Sequence, residues 1–137
     1  MRLLAGLLAL LISFPAWADC PLDLGRGTGL VVFSSHYMVA SRPEPIRMEV
    51  GEPFSLLFNV CTKNNKPAEL VAVDAQMPEH KHGMNYAPTI KAMGDGRYRV
   101  DGMLFHMPGS WEVAFDVRPA DKPDAETQRL TYDFVVK

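Results

Sequence analysis

Apolar and polar residues alternate in short segments along most of this chain, and turn-forming residues separate the segments. This period of two is typical of half-buried β-strands. The predicted strands cover residues 30–33, 37–40, 45–50, 54–61, 70–77, 89–93, 98–107, 111–117 and 130–136. No segment shows a convincing helical period. The pattern therefore predicts an all-β chain, folded as an immunoglobulin-like antiparallel β-sandwich of about seven or eight strands.

The first 18 residues have the pattern of an export signal rather than of a strand. Arg2 precedes an apolar segment over 3–14, and the stretch Ala16-Trp17-Ala18 fits a signal-peptidase site. An uncleaved anchor is disfavoured because the apolar segment is short for a membrane span. A lipoprotein is disfavoured because Asp19 stands before Cys20, where a small residue is needed. We expect a signal peptide over 1–18 and one soluble periplasmic domain over 19–137, with no integral membrane segment after cleavage.

Length and charge limit the classes of function. The chain has 137 residues, with 14 Lys and Arg against 16 Asp and Glu, for a net charge of -2. This length supports one domain plus a targeting segment. No basic stripe is present, so nucleic acid is not an expected partner.

The two cysteines, Cys20 and Cys61, are expected to pair. An exported protein meets an oxidising compartment, in which two cysteines favour a disulfide. The alternative is a thiolate metal ligand or a redox pair, but the chain contains no C-x-x-C motif. The interpretation we favour is a structural disulfide.

Candidate metal ligands concentrate in two segments, 77–84 and 103–109, which hold three of the four histidines and four of the eight methionines. Thioether sulfur is a soft ligand that selects Cu(I), and imidazole binds both copper states. Zinc sites recruit cysteine, histidine and carboxylate instead. The predicted site is a copper site, with Cu(I) favoured over Cu(II). Its candidate ligands are His80, His82 and Met84 on a loop, which we expect to meet His106, and with it Met107, at one end of the sandwich.

The local sequence pattern predicts different side-chain directions for these residues. His80 and His82 would project to the same side of an extended chain. His106 and Met107 would point to opposite sides of a strand, so His106 is the stronger ligand candidate of the two, unless a bulge re-aims the pair. Met38, Met48 and Met103 are interpreted as core packing, whereas Met77 and Met93 are ambiguous, with core packing the favoured interpretation.

The sequence M-P-E-H-K-H-G-M, followed by G-D-G-R-Y-R-V-D-G-M-L-F-H-M-P-G-S-W-E-V, resembles the YtkA-like family of small exported domains. The resemblance extends from about Val50 to Val117. It implies an immunoglobulin-like sandwich and an association with periplasmic copper handling or efflux systems.

The function expected from the sequence is that of a copper carrier or metallochaperone, not an enzyme, since no acid/base pair or nucleophile motif is evident. Its expected partner is a periplasmic or membrane-bound metal-transfer protein. The alternative is a non-catalytic interaction module that docks on a periplasmic or membrane assembly, such as an efflux adaptor or an oxidase assembly factor.

Overall fold

The computed structural model describes residues 20, 22, 24 and 29–137, and the predicted signal peptide over 1–18 lies outside them. This part of the chain forms strands and contains no helix. The nine strands are β1 (Leu30–Phe33), β2 (Tyr37–Glu44), β3 (Pro53–Thr62), β4 (Ala68–Met77), β5 (His82–Gly83), β6 (Thr89–Gly94), β7 (Arg97–Leu104), β8 (Gly109–Pro119) and β9 (Gln128–Val136). Accordingly, no helix in the described residues is long and apolar enough to cross a membrane.

Two antiparallel sheets pack face to face, which confirms the predicted sandwich. One sheet has the strand order β1-β2-β3-β7-β6, and the other has the order β5-β4-β8-β9. Their inner faces share one hydrophobic core, in which the rings of Phe58 and Phe115 meet with centroids 5.3 Å apart. In β8 the inward-facing residues Trp111, Val113, Phe115 and Val117 are fully buried. The alternation in the sequence thus reflects one face on the core and one towards solvent.

The predicted strand over 45–50 is wrong. Strand β2 continues to Glu44, and the residues from Pro45 to Gly51 form a bend and a turn before β3. Pro45 lacks an amide hydrogen and cannot donate to a strand ladder. Met48 and Val50 nevertheless pack against the core. Their alternation with polar residues therefore reflects a loop that packs on the core, and not a strand.

Cys20 and Cys61 form the predicted disulfide, with Cα atoms 5.7 Å apart. Cys20 is 3% exposed and lies against the end of β3. Closing a loop of this length stabilises the fold by about 4 kcal/mol in the chain-entropy model. We call the end of the sandwich that carries this bond the disulfide pole.

The pairing of β4 with β8 brings the two candidate segments together at the other end. The strands are antiparallel, and Gln76 near the end of β4 lies opposite Glu112 near the start of β8. Residues that follow β4 and residues that precede β8 therefore meet at one edge of the sandwich. We call this end, which carries His80, His82 and His106, the histidine pole.

Candidate metal centre

The hairpin between β4 and β5 positions His80 and His82. Met77 at the end of β4 lies opposite His82, and the amide of His80 donates to the Met77 carbonyl at 3.1 Å. Lys81 has a positive φ of 52°, which reverses the chain between the two histidines. His80 is exposed and His82 is half-buried. The two rings approach each other as expected, but through a tight turn and not through extended backbone.

The connection between β7 and β8 positions His106 and Met107. Strand β7 ends before both residues, so the expected alternation of their side chains does not apply. Phe105 is fully buried, and its carbonyl accepts a 2.8 Å hydrogen bond from the amide of Gly51. Trp111 donates its indole N–H to the Met107 carbonyl at 3.0 Å. These bonds fix the backbone on both sides of His106.

Three imidazole rings lie in a row at this pole. The ring centroids of His80 and His82 are 5.7 Å apart, and those of His82 and His106 are 5.1 Å apart. A metal–nitrogen bond of roughly 2 Å places two imidazoles on one ion with their centroids within about 6 Å. Each neighbouring pair is therefore close enough to share an ion.

The hydrogen bonding of the rings leaves nitrogen lone pairs available. The Nδ1 atom of His106 is buried and has no hydrogen-bond partner among the described residues. Buried polar atoms are normally paired, and an ion is one explanation of an orphan. In His82, Nδ1 lies 3.3 Å from the Gly83 carbonyl oxygen. If Nδ1 donates its proton there, Nε2 carries the lone pair that binds metal.

The methionines divide by burial. Met84 and Met107, which are close to histidines in the sequence, are half-buried and pack against the core. Met77 and Met103 are fully buried, as expected of packing residues. Met93, by contrast, is 64% exposed at the disulfide end of β6, so its assignment to the core is wrong. Strand β6 is an edge strand with a mostly exposed face, which sequence alternation alone does not reveal.

Taken together, the donor set fits copper in kind. Imidazole and thioether are both ligands of Cu(I). Within the described residues, no three histidine, cysteine, aspartate or glutamate side chains are grouped so that they could hold one ion.

A family model described as YtkA-like matches residues 35–116, an interval that contains both histidine segments. The chain belongs to the YtkA-like family. Two solved structures of FetP from uropathogenic Escherichia coli strain F11 are similar to this YtkA-like chain. One is a copper-bound variant, with a TM-score of 0.52 and 13% identity, covering 79% of this chain and 94% of that one. The other is the as-isolated protein expressed in the periplasm, with the same score and identity, covering 78% and 92%. At this identity the likeness shows a shared fold. No curated protein matches the chain.

Sequence reasoning missed one residue that shapes the pole of this YtkA-like protein. Trp111 is fully buried, and its ring centroid lies 5.3 Å from that of His106 and 6.0 Å from that of His82. Phe105 stacks on Trp111 at 4.7 Å. The available signal was the position of Trp111 on the inward face of an alternating strand, directly after the second histidine segment. Its indole forms an apolar wall behind two of the imidazoles.

Proposed function

We propose that this YtkA-like protein is a periplasmic copper-binding protein that carries the ion at the histidine pole. The observation that supports this proposal most is the approach of His82 and His106 to 5.1 Å, because the two residues come from separate connections. The unpartnered Nδ1 of His106 adds a buried nitrogen with no other role among the described residues. His82 and His106 would hold copper as a pair, and His80 would exchange with His106 as the partner of His82.

The proposed ion is Cu(I). The half-buried thioethers of Met84 and Met107 are soft ligands, and both cysteines are consumed by the disulfide. The aromatic wall of Trp111 and Phe105 limits water on one side of the site. The copper-bound FetP variant shares the fold and so supports a copper role.

The proposed role is carriage without catalysis. A carrier must release its ion, which requires at least one ligand that a partner can displace. His80 is exposed on the hairpin turn, whereas His82 and His106 are half-buried. A metal-transfer protein of the periplasm or membrane would therefore replace His80 first.

The test is a competition titration with a chromogenic Cu(I) chelator. We expect one Cu(I) per chain. The affinity for Cu(I) should fall at least about tenfold in His80→Ala/His82→Ala and in His106→Ala. Loss of a metal ligand, or of a residue that orients one, typically has an effect of this size. His36→Ala is the matched control, since His36 is exposed at the disulfide pole. Thermal unfolding of each variant separates lost binding from lost structure. Affinities equal to wild type in both ligand variants would refute the carrier and favour the non-catalytic docking module.

A further inference from the structure

Three loops enclose a cleft of about 540 Å³ at the disulfide pole, opposite the histidines. The β1–β2 turn, the β3–β4 turn and the start of the β8–β9 loop form its walls. Lys63, Lys66 and Lys122 line it, and Asp121 is the one carboxylate among the lining residues. A volume of this size lies within the range of small-molecule sites.

The charges in the cleft are not balanced within the protein. None of the three lysines forms an ion pair with a carboxylate of the described residues. Four cationic residues on the sheets differ in this respect, because Lys91, Arg99, Arg118 and Arg129 each have a carboxylate partner. Three lysines against one aspartate among its lining residues make this cleft locally positive in a chain of net charge -2. The cleft therefore attracts anions although the whole protein repels them.

Two features prepare the cleft for a ligand. Tyr37 lines the cleft, and its side chain is buried, with 6% of the residue exposed. Burial raises the pKa of Tyr37, which keeps the hydroxyl a proton donor. The ammonium of Lys63 lies 4.8 Å from the centroid of the Phe33 ring, a cation–π contact that restrains this long side chain.

We propose that this cleft binds a small oxyanion that carries two or more negative charges, of the polycarboxylate or phosphate class. The lysines supply point charges and the Tyr37 hydroxyl supplies a neutral donor. Lysine recognises both classes because its ammonium imposes no planar, bidentate geometry. The site is independent of copper binding, which concerns the opposite pole.

Calorimetric titration of the purified exported chain at constant ionic strength tests the proposal with two probes. These are propane-1,2,3-tricarboxylate, which lacks the chelating hydroxyl of citrate, and inorganic phosphate. We expect saturable binding of at least one probe with a Kd below about 1 mM. Binding of the tricarboxylate alone assigns the polycarboxylate class, and binding of phosphate alone assigns the phosphate class. Binding of both assigns general oxyanion recognition.

Variants locate the site. Lys66→Gln/Lys122→Gln should weaken binding at least tenfold, and Tyr37→Phe should weaken it severalfold. Lys91→Gln/Lys137→Gln makes the same change in net charge away from the cleft and should leave binding within twofold. His80→Ala/His82→Ala should bind the anion as wild type does, whatever its effect on copper. The proposal is overturned if neither probe saturates, or if the two lysine pairs weaken binding equally.

Discussion

Two glycines in the β6–β7 turn share a backbone requirement but differ in their surroundings. Gly94 has a φ of 89° and Gly96 a φ of 77°. A Cβ built on Gly94 meets nothing within 4 Å, whereas a Cβ on Gly96 would lie 2.5 Å from the Val60 carbonyl oxygen and 3.3 Å from the Cα of Pro67. Gly94→Ala therefore introduces backbone strain alone, and Gly96→Ala introduces the same strain plus a collision with backbone.

The difference between the two variants can be estimated. Alanine in a left-handed conformation costs roughly 1 kcal/mol relative to glycine, and both variants incur this cost. In Gly96→Ala the Val60 carbonyl must also move, which adds about 1–3 kcal/mol of overpacking. The same shift disturbs the 2.7 Å hydrogen bond from the Val60 amide to the Gly96 carbonyl, at a cost of about 1 kcal/mol. We expect losses of about 1 kcal/mol for Gly94→Ala and about 3–5 kcal/mol for Gly96→Ala.

Urea denaturation with the disulfide intact measures both free energies of unfolding. Mass spectrometry confirms that the bond between Cys20 and Cys61 remains, so that chain entropy is equal in the two variants. Equal losses in Gly94→Ala and Gly96→Ala would refute the steric argument. They would mean that the turn relaxes away from Val60 at little cost.

Three further predictions concern charge, packing and ligation. Hydrogen bonds, first from Ser55, lower the pKa of Asp101 from 3.8 to about 2. Its contribution to stability is therefore present above pH 3.8 and lost as the pH falls through about 2. Asp101→Asn should cost about 1 kcal/mol at pH 7 after solvent screening, and acid titration of unfolding should show this difference disappearing below about pH 2. Gly109 has a φ of 131°, which strains an alanine, and a Cβ there would also lie 2.8 Å from Cε of the buried Met77, so Gly109→Ala should cost about 2 kcal/mol. Part of that loss should disappear when Gly109→Ala is combined with Met77→Ala in a double-mutant cycle. If the losses in stability of the two single variants simply add, the contact with Met77 is excluded as a cause. Met84→Leu/Met107→Leu should change thermal stability little but weaken Cu(I) binding at least tenfold, and unchanged competition with the chelator would remove both thioethers from the site.

The strands were predictable where one face of the chain meets the core. In β8 the alternation from Trp111 to Val117 follows the burial closely, because the outer face of that strand stays in contact with water. The same rule failed where alternation had another cause. Met48 and Val50 alternate with polar neighbours in a loop that packs on the core. Met93 lies on β6, the edge strand of its sheet, which pairs with β7 on one side only.

The candidate residues were predictable as chemical types, whereas their expected meeting at one end of the sandwich had no local signal in the sequence. Imidazole and thioether identified the two segments, yet nothing local states that β4 and β8 are neighbours. That pairing joins residues distant in the chain, and it alone brings His82 within 5.1 Å of His106. Trp111 directly follows the second histidine segment in the sequence, but its approach to His82 depends on the same strand pairing.

The proposed carrier divides its chemistry between two poles of one sandwich. At the disulfide pole both cysteines are consumed in fixing the start of the domain to β3, so a soft ion finds no thiolate there. At the histidine pole the backbone around His106 is held by the bonds at Phe105 and Met107, whereas His80 stands on an exposed turn. Such a site would hold the ion between His82 and His106, while His80 offers an exposed ligand that could take the place of His106. Because a rigid site retains its ion and an open one loses it to water, this combination suits an ion that must be kept until a partner offers a replacement for His80.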